Sequence, residues 1–213
     1  MQNGNGKPNP QKLGLKLPPD LELESLIGTG SCGPVYKVHF QGETLALKAY
    51  TQQAIQRYEK KHGANLAIFE MSQNRSLRKL PQLLPFTAKP NRVLGQDGKF
   101  SLCFLQEFVD GVSIDALAER LGRLPQSLLE AGEVIDQVSR TAGIKGMDQF
   151  MRDILVRERH GVWQPVMFDF KHVPREHGGS KPLFGILGRK HKAGSAFLRQ
   201  WRELAARLEK ASG

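Results

Sequence analysis

The stretch that most constrains this chain is Ile27-Gly28-Thr29-Gly30-Ser31-Cys32-Gly33-Pro34-Val35-Tyr36-Lys37-Val38. Three glycines in G-x-G-x-x-G spacing remove the Cβ at three points of a turn, so that backbone N–H groups can approach a phosphate chain. The commonest phosphate-binding turns lead straight into a helix. Here Pro34 is followed by Val35, Tyr36 and Val38, and Leu23, Val35, Val38 and Phe40 supply apolar strand positions on either side. The reading is strand, glycine-rich turn, strand, which argues against both helix-led types of turn.

A turn at Gln41-Gly42-Glu43 leads into Thr44-Leu45-Ala46-Leu47-Lys48-Ala49-Tyr50, an apolar strand carrying one lysine near its end. Such a lysine is ordinarily a solvated residue. Residues 51–80 read as helical, with Ala54, Ile55 and Tyr58 on one face, an interruption at Gly63, and then Leu66, Ala67, Ile68, Phe69 and Met71. Pro81, Pro85 and Pro90 end that pattern. Asn91–Leu94, a Gln96-Asp97-Gly98 turn and Lys99–Leu105 carry the signal of a hairpin.

Ser113 is suited to cap a helix over Ile114–Leu117. A further helix is expected from Ser127 to Ser139, with Leu128, Leu129, Val134, Ile135 and Val138 inward and Glu130, Glu133 and Gln137 outward. Ile154-Leu155-Val156 reads as a buried strand, followed by a Glu158–Gly161 turn and a partner strand at Val166-Met167-Phe168. A last amphipathic helix, Ala193–Lys210, sets Phe197, Leu198, Trp201, Leu204, Ala205 and Leu208 at helical spacing, the pattern of core packing. The fold class is therefore α+β.

A chain of 213 residues suits one domain or two small lobes. Cys32 and Cys103 are too few for a disulfide framework, which implies a reducing, cytoplasmic setting. There is no apolar run near the 18 or so residues of a membrane helix and no apolar segment after the N-terminus that would mark a signal peptide. Residues 1–19, rich in Asn, Gly, Pro and Lys, are expected to form a disordered tail. The net charge is +10, and from Lys171 to Gly213 ten Lys or Arg stand against three Glu. This suggests an anionic partner. With neither interleaved aromatics nor zinc-finger spacing, no specific nucleic acid is expected.

The order of the stretches resembles that of protein kinases over residues 26–173. Thr44–Tyr50 resembles the V-A-I-K strand. Gln106-Glu107-Phe108-Val109-Asp110-Gly111 resembles the hinge. Gly143-Ile144-Lys145-Gly146-Met147-Asp148-Gln149-Phe150-Met151-Arg152-Asp153-Ile154-Leu155-Val156 resembles the catalytic loop with its trailing strand, and Asp169-Phe170-Lys171 resembles D-F-G. The resemblance implies a minimal two-lobed fold: an antiparallel β N-lobe over 20–105, a hinge at 106–111, and a reduced, mostly helical C-lobe over 112–213.

It also implies an ATP and Mg²⁺ site between the lobes. Gly28, Gly30, Gly33 and Val35 would cover the nucleotide, and Lys48 would bind phosphate. Glu70, with Glu59 in reserve, would pair with Lys48. The main chain of Glu107 and Val109 would meet the adenine, with Gln106 guarding the rear. Asp148 would act as the catalytic aspartate, and Asp153 and Asp169 would hold metal.

The departures are specific. Gly146 and Met147 replace His-Arg, Cys32 replaces an aromatic at the loop tip, Asp153 replaces Asn and Lys171 replaces Gly. About 40 residues follow Asp169, with no A-P-E signature, too few for the usual lower-lobe helices. The layout is similar to that of the HopBF family, minimal bacterial effector kinases delivered into host cells. That similarity implies a monomeric Ser/Thr protein kinase secreted into a host, whose substrate is a eukaryotic heat-shock chaperone. A pseudokinase scaffold and a small-molecule phosphotransferase are the alternatives.

Overall fold

The computed structural model describes residues 17–96, 100–142, 154–168 and 195–212. They form an α+β protein that divides into two compact units, Met1–Ser72 with Ala88–Val109, and Gln73–Thr87 with Asp110–Gly213. Residues 73–87, expected within the first lobe, thus group with the second unit.

The first unit holds β1 (Leu21–Gly30), β2 (Gly33–Phe40), β3 (Glu43–Ala49), α1 (Gln52–His62), most of α2 (Leu66–Leu77), β4 (Pro90–Gln96) and β5 (Phe100–Glu107). Its five strands form an antiparallel sheet in the order β1-β2-β3-β5-β4. The β2–β3 turn carries Gln41 at φ 52° and Gly42 at φ 78°. Two positive φ values in succession match the right-handed twist of the flanking strands.

Strand alternation gives the sheet two distinct faces. Tyr36, Val38 and Phe40 of β2, Leu45, Leu47 and Ala49 of β3, and Cys103 and Leu105 of β5 form one apolar cluster. On the other face Phe104 packs with Tyr50, Ala54, Ile55, Leu66 and Ala67, joining the sheet to α1 and α2. Each helix has a local start signal. Thr51 Oγ1 accepts the Ala54 N–H at 3.2 Å, and Asn65 Oδ1 accepts the Ala67 N–H at 3.0 Å. Gly63, in the left-handed region, ends α1.

The second unit contains a 3-10 turn (Leu84–Phe86), β6 (Val112–Ser113), α3 (Ile114–Leu121), α4 (Gln126–Thr141), β7 (Ile154–Arg159), β8 (Val162–Met167) and α5 (Ser195–Ser212). β6, β7 and β8 form a small antiparallel sheet. Ser113 caps α3 through Oγ, which accepts the Ala116 N–H at 3.3 Å. The core gathers Ile114, Leu117, Leu128, Ile135, Ile154, Val156, Met167, Trp201 and Leu204.

One inward expectation fails: Val134 is 38% exposed. The buried stripe of α4 runs instead through Leu128, Ala131, Gly132, Ile135, Asp136 and Ser139, with Gly132 making room for the Trp201 ring. Ranking by side-chain apolarity favoured the valine, whereas the helical period favours its small and polar neighbours. No helix among the described residues is long and apolar enough to cross a membrane.

Candidate functional site

The site is built on β3. Its registers with β2 and β5 align Val35, Lys48 and Phe104 across three strands, and Lys37, Ala46 and Gln106 two residues along. Paired residues share a face of the sheet. Lys48 therefore stands on the face that packs against α1 and α2, beside the strand that follows the glycines.

α2 brings an acid to this lysine. Its buried stripe runs Leu66, Ala67, Glu70, Gln73, Asn74 and Leu77 at helical spacing. Glu70 Oε1 and Oε2 accept from Lys48 Nζ at 2.7 and 3.1 Å. Glu70 is 1% exposed and Lys48 8%. Tyr50, two residues beyond Lys48, donates its hydroxyl to Glu70 Oε2 at 2.5 Å. Of the two glutamates weighed from the sequence, Glu70 meets the lysine and Glu59 lies exposed on α1. Tyr50 was not singled out as a partner, although the alternation of Lys48 and Tyr50 on one strand face was a readable signal.

The glycine hairpin closes at Gly30 and Gly33, with Gly28 opposite Val35. Gly33, at φ +141°, lies so close to β3 that a Cβ would fall 2.0 Å from the Ala49 carbonyl oxygen. Only glycine fits there. The Cys32 carbonyl then accepts the N–H of Thr51 at 2.9 Å, and Cys32 packs against the cluster containing Tyr50 and Ile55. The tip is thus tied to the junction of β3 and α1.

At the end of β5, the N–H of Glu107 donates to the Lys89 carbonyl at 2.7 Å, and Glu107 Oε2 accepts the Lys89 N–H at 2.9 Å. Val109 is buried. Gln106 is buried as well, and its Oε1 has no hydrogen-bond partner among the described residues. Lys37 Nζ lies 5.1 Å from the centre of the Phe108 ring. Lys37 also donates to Glu24 at 2.8 Å, and this bond lowers the Glu24 pKa from its ordinary value.

Asp148, Asp153 and Asp169 lie outside the described residues, as do Gly146, Met147 and Lys171. Among the described residues no group of three or more His, Cys, Asp or Glu is arranged to hold a metal. In the second unit, sequence reading passed over Asp136, a carboxylate 1% exposed that is paired with Arg140 one turn on. The chain matches no family model and no curated protein.

Proposed function

We propose that this chain is an ATP-dependent protein kinase acting on serine or threonine hydroxyls, with a minimal two-lobed kinase-like fold. One observation carries the reading: the buried pair of Lys48, on the strand next to the glycine hairpin, and Glu70 of α2. Enclosing two charges costs several kcal/mol of desolvation per ion, and an apolar pair would often stabilise a fold as well. A lysine whose charge is held in an apolar frame is suited to neutralising phosphate oxygens.

In this reading the backbone of Gly28, Gly30 and Gly33 covers the phosphates, Val35 meets the base, and Lys48 binds phosphate. The Glu107 carbonyl and the Val109 N–H read the adenine edge. Asp148 orients the attacking hydroxyl and takes its proton as the oxygen bonds to the γ-phosphorus and the bond to ADP breaks. The carboxylates of Asp153 and Asp169 suit Mg²⁺, which neutralises phosphate charge when bound. Positioning and electrostatics supply most of the rate in such transfers. The resemblance to effector kinases supports a folded host protein as the substrate, with a heat-shock chaperone as the first to try, and a monomeric kinase acting in the cytoplasm of a host cell.

A second reading, a nucleotide-binding scaffold without turnover, is favoured by the bond between Thr51 and Cys32, which holds the hairpin tip against the end of β3. Incubation with γ-labelled ATP and Mg²⁺, with and without a eukaryotic lysate, separates the two. Label on a lysate protein, lost with Lys48→Ala, supports the kinase. ATP binding without transfer to any protein supports the scaffold.

A further inference from the structure

A carboxylate as enclosed as Glu70 needs its lone pairs filled. Two side chains do this, one from β3 and one from the residue just past its end. Lys48 lies closer to Oε1, and the Tyr50 hydroxyl takes Oε2. Tyr50 touches the base as well as the acid, since its ring centre is 5.6 Å from Lys48 Nζ, within cation–π reach. The ring is 4% exposed and packs among Ala54, Ile55, Leu66, Ala67 and Phe104, so the hydroxyl is delivered from a fixed direction.

We propose that Tyr50 is a positioning residue of the Lys48 site. Its hydroxyl fixes the rotation of the Glu70 carboxylate and draws the ammonium to Oε1, while its ring supports the ammonium from the side. Without the hydroxyl, the carboxylate can turn and take the ammonium with both oxygens equally, and Nζ moves with it. The inference rests on the kinase reading. Displacing a cation that faces developing phosphate charge lowers the rate of transfer more than it weakens ground-state binding.

Tyr50→Phe keeps the ring and its packing and removes one oxygen. With ATP-Mg²⁺ and the labelled substrate, kcat is expected to fall about 10- to 100-fold, because small misplacements at a reacting centre have effects of this size. KM for ATP should change less than about threefold, which also shows that the variant is folded. In the Glu70→Gln background, Tyr50→Phe should add less than about threefold, since residues that act as a unit are not additive. Wild-type kcat in Tyr50→Phe, or a loss that multiplies in full with that of Glu70→Gln, would overturn the role. Wild-type protein that neither binds ATP-Mg²⁺ nor transfers phosphate overturns the kinase reading itself. That result is distinct from an active wild type indifferent to Tyr50→Phe.

Discussion

The backbone N–H of Thr51 donates to the carbonyl of Cys32 at 2.9 Å, so the tip of the glycine hairpin and the start of α1 are joined by the main chain. Cys32 is half-buried at that junction, whereas Cys103 is buried within β5.

The two thiols should therefore differ sharply towards a reagent such as dithionitrobenzoate. Burial pushes the Cys103 thiol up to about 12, so almost none of it is thiolate at pH 8. Native protein should release one equivalent quickly and the second at least ~100-fold more slowly, and both should react at once in denaturant. ATP-Mg²⁺ should slow the first. Two equally fast thiols in native protein would contradict the burial of Cys103.

The same thiol makes a pH prediction. Its folded pKa is raised, so its contribution to stability is fully present below the unfolded thiol value of about 8.5 and is lost as pH rises towards the folded value. Between pH 8.5 and 10 the loss should reach about 2 kcal/mol. Cys103→Ala should be less stable at pH 7, yet lose less between pH 7 and 10. Urea denaturation at the two pH values measures both effects, and parallel losses in the two proteins would refute the assignment.

Lys48→Ala should destabilise the fold by about 3–5 kcal/mol, because it leaves Glu70 enclosed without its cation. Lys48→Met with Glu70→Leu should recover most of that loss while remaining inactive. A double variant no more stable than Lys48→Ala would mean that the pair is not enclosed as described.

In the second unit, Trp201 rests on Gly132, where a Cβ would come within 2.5 Å of the ring. Gly132→Ala should cost about 1–3 kcal/mol by overpacking. Trp201→Ala should cost about 3–5 kcal/mol through the cavity it leaves. The two changes should be clearly non-additive in denaturant unfolding, because they act on one contact.

On the kinase reading, Asp169→Ala should abolish transfer in folded protein, a loss of at least about 10²–10³. Asp153→Asn should retain activity, since an amide oxygen also suits the metal. Protein made without any upstream kinase should be active, because Met147 stands where an arginine usually reads phosphate on an activation segment. A fully active Asp169→Ala protein, or enzyme that works only after phosphorylation by another kinase, would remove the corresponding role.

Much of the local structure of both units was legible in the chain. Gln41-Gly42 and His160-Gly161 close hairpins with positive φ at both residues, within the turns expected at Gln41-Gly42-Glu43 and Glu158–Gly161. Gly63, Ser113 and the apolar alternation of β2 and β3 are equally local signals. What escaped were contacts between elements. The alternation of Lys48 and Tyr50 puts them on one face, but it does not by itself reveal that Glu70, 20 residues on from Tyr50, will take the hydroxyl. Gly132 carries no apolar signal, because its part is to leave space for a ring from another helix.

The strand order β1-β2-β3-β5-β4 has a consequence for synthesis. β3, which carries Lys48, gains its second neighbour only when Phe100–Glu107 has left the ribosome. Until then one edge of β3 offers unpaired N–H and C=O groups to any other strand. Chaperone capture and amide protection of ribosome-stalled chains can be measured on either side of that point. Full protection of β3 should appear only after β5 emerges, so the strand that carries the site stays open to mispairing until then.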